Sequence, residues 1–144
     1  MNILVLNGPN LNMLGKRDPD QYGTATLEQI EDTLKSAFDD VDFTFTQSNH
    51  EGELVEVIHE LVRSSDYDGL VANFGAYTHT SIALRDALSM VEVPKIEVHL
   101  SNIHAREKFR SKSMTGEVCD GIITGLGVDS YKLGVDAVIS SVRA

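Results

Sequence analysis

With 144 residues, 42% hydrophobic and 24% charged, the chain has an ordinary globular composition and is long enough to bury one substantial core. Its formal net charge of −10 excludes a general nucleic-acid binder, which carries a basic face, but not a small anion, because one or two local arginines outweigh a distant field that salt screens. No apolar run reaches the length of a membrane span, and the N-terminus has neither the basic start nor the long apolar centre of a signal peptide.

A single cysteine, Cys119, leaves no internal disulfide framework and fits a cytoplasmic location, with the thiol as a small core residue. In chain order, residues 2–7 (NILVLN) are nearly apolar throughout, as in a parallel strand covered on both faces. The next stretch, GPNLNMLGKRDPDQYG (8–23), is glycine-rich and contains Gly-Lys, so it has to be tested as a phosphate loop. That motif needs two glycines five apart, then Lys, then a metal-binding Ser or Thr. Gly8 and Gly15 are seven apart, and Arg17 stands where the hydroxyl belongs. The match fails.

Leu27, Ile30, Leu34, Ala37 and Phe38 then recur at helical spacing behind Thr26 and Gln29, which are placed as a capping box. Residues 42–47 (DFTFTQ) alternate like a strand near a sheet edge, and a helix follows with Leu54, Ile58, Leu61 and Val62 on one stripe. GLVAN (69–73) reads as the third strand, Ile82 to Val91 as the third helix and KIEVHL (95–100) as the fourth strand. The fifth strand lies within VCDGIITG (118–125), and Val128, Tyr131, Val135, Val138 and Val142 form the apolar face of a closing helix. Five strands alternating with helices predict an α/β fold with a doubly wound parallel sheet, because parallel neighbours need right-handed crossovers. The flavodoxin-like order 2-1-3-4-5 is the expected topology. Without a repeat or a linker, residues 1–144 read as one catalytic domain. The loop around 10–24 is long for a strand-to-helix connection, as active-site lids are.

Ligands of such sheets bind beyond the carboxyl ends of the strands, where strand order reverses. Polar residues collect there: Asn7 and Asn10 after strand one, Asn73 and His79 after strand three, Ser101 after strand four. Within strand four, Glu97 and His99 share the face opposite Ile96, Val98 and Leu100. A covered central strand should be apolar on both faces, so a carboxylate beside an imidazole stands out. It can fix the tautomer and favour the protonated ring, which suits a general acid. Taken singly, each residue has a plainer reading: the asparagines as turn residues, His79 as a cap, Tyr22 as a surface anchor, Arg106 and Arg110 as a solvated face, Glu97 with His99 as a satisfied buried pair. Convergence on one end of the sheet favours a site, since independent accidents would scatter.

Four segments, GPNLNMLGKRDPDQYG, QSNHEGELV, GAYTHTSIALRDAL and EVHLSNIHAREKFR, resemble the signature segments of type II 3-dehydroquinate dehydratases, in family order and across nearly the whole chain. The resemblance implies a flavodoxin-like protomer assembled as a dodecamer of four trimers. It also implies dehydration of 3-dehydroquinate to 3-dehydroshikimate in the shikimate pathway, with no metal, organic cofactor, nucleic acid or membrane partner. By position, it makes Tyr22 the base at C2, Arg17 the stabiliser of the tyrosinate, Asn10 the holder of a water on the enolate oxygen, and His99, oriented by Glu97, the acid at the C1 hydroxyl. It assigns substrate binding to Asn73, His79, Leu100, Ser101 and Arg110, with Asp86 reaching a neighbouring subunit's site. Elimination beside a ketone passes through an enolate, so these residue types suit the chemistry. Two positions depart from the family pattern: Phe74 after Asn73, and SKSM (111–114) after Arg110. Two rival classes remain alongside. One is a flavodoxin-like flavin or nucleotide binder without turnover, which the missing phosphate loop disfavours. The other is a metal hydrolase using some of His50, His59, His79, His99 and His104, which lack any recognised ligand spacing.

Overall fold

Alternate side chains of the first strand feed two different cores. In the computed structural model, which describes all 144 residues, β1 (Asn2–Asn7) sends Ile3 and Val5 into one cluster and Leu4 and Leu6 into another. Period-two alternation on a strand covered on both faces requires this. The other strands are β2 (Asp42–Gln47), β3 (Gly69–Asn73), β4 (Lys95–His99) and β5 (Gly121–Thr124). All pair in parallel, in the order β2-β1-β3-β4-β5. The sheet is the flavodoxin-like one that the alternation of elements predicts.

The long connection after β1 contains a one-turn helix at Leu11–Met13 and the four-residue α1 (Pro19–Tyr22). Next comes α2 (Leu27–Ala37), opened by the expected capping box: Thr26 Oγ1 accepts from the Gln29 amide at 3.2 Å, and Gln29 Oε1 accepts from the Thr26 amide at 2.9 Å. The chain then forms α3 (Glu51–Arg63), α4 (Ile82–Leu88) and α5 (Val128–Arg143). Ile30 and Leu34 of α2 and Tyr131, Val135 and Val138 of α5 close the first core, while Leu54, Ile58 and Leu61 of α3 and Leu84 and Leu88 of α4 close the second.

Several details differ from the sequence reading. Ala37, Val62 and Val142 are exposed, and Ile139 takes the inward place expected of Val142. The third helix stops at Leu88, because Met90 and Val91 bond back to Ala87 and Leu88 in the tighter three-residue pattern. Val91 stays buried all the same. The β4 ladder ends at His99, paired with Thr124, so Leu100 lies just beyond the strand. Phe74 does not disturb the loop after β3. Its ring is wholly buried in the second core, and its backbone runs against Gly8, which donates to Asn73 O at 2.7 Å.

That close approach yields a stability prediction. A Cβ at Gly8 would sit 2.5 Å from the Phe74 carbonyl oxygen, a backbone atom that cannot swing aside. Gly8→Ala should therefore destabilise by about 1–3 kcal/mol, as overpacking does. Gly52 of α3 has open space around its Cβ position, so Gly52→Ala should stabilise by about 0.4–1 kcal/mol. Urea midpoints of the two variants check the contrast.

Candidate active site

A pocket opens at the carboxyl ends of β1, β3 and β4, and its walls include Asn10, Arg17, Tyr22, Asn73, His79, His99, Leu100, Ser101, Arg106 and Arg110. Three arginines line it and no carboxylate does, in a chain with 22 acidic and 12 basic residues. The site is built for an anion. Its cavity of about 120 Å³ is below the 300–1,000 Å³ typical of drug-sized ligands, which suits a small acid better than a flavin or nucleotide.

One wall is the loop after β1. Asp18 caps α1 by accepting from the Asp20 amide at 3.2 Å, Pro19 starts the turn with its preset φ, and Gly23 ends it at φ 75°. This places Tyr22 at the end of the turn. Arg17 Nη2 donates to the Tyr22 hydroxyl at 3.0 Å, with its guanidinium carbon 4.1 Å from the ring centroid. Arg106 approaches the same ring at 5.2 Å and donates to Ser101 Oγ at 3.2 Å. Arg106 belongs to the site, not to a solvated face. Its closeness to Arg110 in AREKFR was the only sequence signal, and it did not separate the two readings. Asn10 is the one non-glycine residue with positive φ, 69°, and its amide donates to Asn49 Oδ1 at 3.0 Å. That bond helps hold a conformation that asparagine tolerates better than most residues.

The opposite wall is His99, with Glu97 buried behind it. Glu97 is fully buried, and His99 Nε2 donates to its Oε2 at 3.0 Å. Ser113 Oγ donates to the same oxygen at 2.6 Å, and the Thr115 hydroxyl bonds the other oxygen. Burial pushes the Glu97 carboxyl up, but the His99 bond and charge and the two hydroxyls together outweigh it, and the net shift is downward. An ionised Glu97 fixes the His99 proton on Nε2, and no protein atom bonds His99 Nδ1. The His79 ring lies 6.5 Å from the His99 ring, nearly parallel to it. His79 Nδ1 donates to Lys112 O at 2.9 Å, since a carbonyl can only accept. Burial pushes the His79 pKa down, and the charges of His99 and Arg110 add to the effect although the Lys112 bond opposes it. Neutral His79 thus offers Nε2 as an acceptor.

The SKSM segment builds the back of this wall. Met114 N bonds Thr78 O at 2.9 Å, and Met114 O accepts from Arg85 Nη1 at 2.9 Å, which brings Ser113 and Thr115 onto Glu97. Sequence reasoning missed both hydroxyls. The signal was the requirement of a buried carboxylate for donors. Asp86 is exposed on α4 and lies outside the pocket. Cys119 is half-buried against the second core, and burial pushes its thiol up to about 12. No three His, Cys, Asp or Glu side chains gather as metal ligands would, and no helix is long and apolar enough to cross a membrane.

A family model described as dehydroquinase class II matches residues 1–139. The chain belongs to the class II dehydroquinase family. A 3-dehydroquinate dehydratase of an Exiguobacterium species is 52% identical over 99% of this chain and 97% of its own length. One from Thermotoga neapolitana is 55% identical over 96% and 94%. The crystal structure of the type II dehydroquinase from Butyrivibrio crossotus superposes with a TM-score of 0.93 at 43% identity, covering 96% of this chain and 97% of that one.

Glu97 sets an acid-side prediction. Its pKa is lower folded than unfolded, so its contribution to stability is present above the unfolded carboxyl value, about 4.3. That contribution is lost as pH falls through the folded value. Glu97→Gln should flatten the fall in stability below about pH 4.5, seen as a smaller loss of urea midpoint between pH 6 and pH 3 than in the unmodified protein. An equal loss in both would show that Glu97 is not the linked group.

Proposed function

We infer that this protein dehydrates 3-dehydroquinate to 3-dehydroshikimate, the class II dehydroquinase step of the shikimate pathway. It is a carbon–oxygen lyase acting on a small anion. The observation that carries the mechanism is the pairing of Arg17 with Tyr22 on a lid that faces the His99–Glu97 pair across an arginine-lined pocket.

In this reading Tyr22 takes the proton from C2, beside the ketone, and the electrons move onto the ketone oxygen as an enolate. Asn10, through a water, hydrogen-bonds that oxygen. The enolate then collapses, the C1–oxygen bond breaks, and His99 protonates the departing hydroxyl through Nδ1, releasing water. Glu97 holds Nε2–H, stabilises the imidazolium before transfer and orients the ring. Asn73, His79, Leu100 and Ser101 receive the substrate's hydroxyls, and Arg110 its carboxylate. Ionising a phenol at pH 7 costs about 4 kcal/mol, from a reference near 10 at roughly 1.36 per unit. A guanidinium about 4 Å away offsets about 1 kcal/mol of this in water and about 4 at an effective dielectric near 20. Arg17 therefore supports a tyrosinate only when the lid is shut and water has left. Leu11 and Leu14 are sunk in the core, so the segment that moves is the one between Gly15 and Gly23, both at positive φ.

Purified protein should convert 3-dehydroquinate in excess chelator, and borohydride with substrate should not inactivate it. Loss of activity in chelator, or a trapped lysine adduct, would overturn this mechanism. His99→Ala should lower kcat about a hundredfold or more, and Tyr22→Phe should be nearly inactive while still binding substrate in calorimetry. A fully active His99→Ala enzyme would assign the acid to another group.

The reading extends to a cytoplasmic homododecamer of four trimers, with Asp86 completing a neighbour's site. Its exposure on α4, away from its own chain's pocket, supports a role between chains. Sedimentation should give a species of at least three chains, and Asp86→Ala should weaken substrate binding without altering that mass. A fully active monomer would remove the role.

A further inference from the structure

Asn7 and Asn73 are register partners at the carboxyl ends of β1 and β3, and both are buried. Tyr131 of α5, read from sequence only as an apolar position, reaches them with a completely buried phenol. It donates its single proton to Asn7 Oδ1 at 2.6 Å and accepts from Asn73 Nδ2 at 2.9 Å. Asn73 Oδ1 accepts from the Gly75 amide at 3.1 Å. The sense of every bond is forced. The Gly75 N–H can only donate, so the Asn73 carbonyl faces it and the Asn73 NH₂ faces the phenol. The phenol, accepting there, spends its proton on Asn7. Burial also pushes the Tyr131 pKa up, against the smaller opposing effect of the Asn73 bond, so that proton stays in place. One N–H of Asn73 is left without a protein partner, on a residue that lines the pocket.

We propose that Tyr131 is a positioning residue for the reaction: the Gly75 amide sets which way the Asn73 amide faces, and the Tyr131 phenol tethers its NH₂ so that the remaining N–H is held ready for a substrate hydroxyl or carboxylate oxygen. The proposal rests on the reading of Asn73 as a substrate contact. Without the phenol the amide is held by the Gly75 bond alone, and an amide loosened in this way would have to be ordered again at each binding event. That change does not touch the Tyr22 and His99 chemistry, so the loss falls on binding.

Tyr131→Phe keeps the ring and its packing and removes only the hydroxyl. Its KM for 3-dehydroquinate should rise about tenfold, the scale of one hydrogen bond, with kcat within about twofold, the pattern of lost uniform binding. Asn73→Ala should raise KM at least as much, and adding Tyr131→Phe to it should change nothing more, because both act through one amide. A Tyr131→Phe KM equal to that of the unmodified protein, or full additivity in the double variant, would overturn the proposal. If Tyr131→Phe fails to fold, Asn7→Leu reads the same lock by removing the acceptor of the phenol proton. It should raise KM at constant kcat, and an unchanged KM would again overturn the proposal. Inactivity of the unmodified protein would overturn the assigned function itself, and is thereby distinguished from failure of the positioning role alone.

Discussion

The constraint on which the site depends is a charge buried in the middle of a parallel sheet. Removing a carboxylate from water costs several kcal/mol even after relaxation, unless partners replace its hydration. Glu97 is fully buried on β4, a strand flanked on both sides, and it has three donors: His99, Ser113 and Thr115. That requirement shapes its surroundings. No side chain of β4 joins the second core. On that face the chain supplies a seven-residue α4 and the segment whose Ser113 and Thr115 hydroxyls bond the carboxylate. The imidazole that shares the carboxylate is thereby fixed in ring plane and tautomer, with its second nitrogen free for chemistry.

The second feature is the distribution of charge. The protein as a whole repels anions, yet the pocket gathers three arginines and no acidic group. Screening makes this workable, because exposed charges beyond about 10 Å count for little at ordinary ionic strength, while groups inside a shut pocket interact through a much lower effective dielectric. Arg17 and Arg106 both lie over the Tyr22 ring. A phenol and two guanidiniums thus come together in one small volume at the ends of the strands.

The network of Asn7, Tyr131 and Asn73 shows how a helix from the end of the chain takes part in a site built on strand ends. Asn7 and Asn73 look like turn residues at the ends of their strands, and their shared partner lies 58 residues beyond Asn73. The phenol satisfies two buried amides with one hydroxyl and joins the first core to the floor of the pocket. A polar network of this kind favours one arrangement, because turning any of its three members around breaks a buried hydrogen bond.

Much of this protein was legible in its residues. The period-two and helical patterns marked five strands alternating with helices and hence a parallel sheet, since each parallel crossover needs a helix; the flavodoxin-like order was the expectation for such a chain, and the sheet has it. The same patterns placed Asn10, Asn73, His79, Glu97, His99 and Ser101 at one end of the sheet. The family motifs pointed to the reaction, because Arg17 with Tyr22 and Glu97 with His99 each lie within a continuous segment. What the sequence could not decide is what the chain assembles from distant parts. Ser113 and Thr115 on Glu97, Arg106 over Tyr22, and Tyr131 between two asparagines leave no periodicity, since each depends on where a loop or helix is carried by packing elsewhere. Val62 and Val142 turned outward for a related reason. A helical stripe is wider than the sheet surface that covers it, and only the packed structure decides which edge of the stripe is left in water.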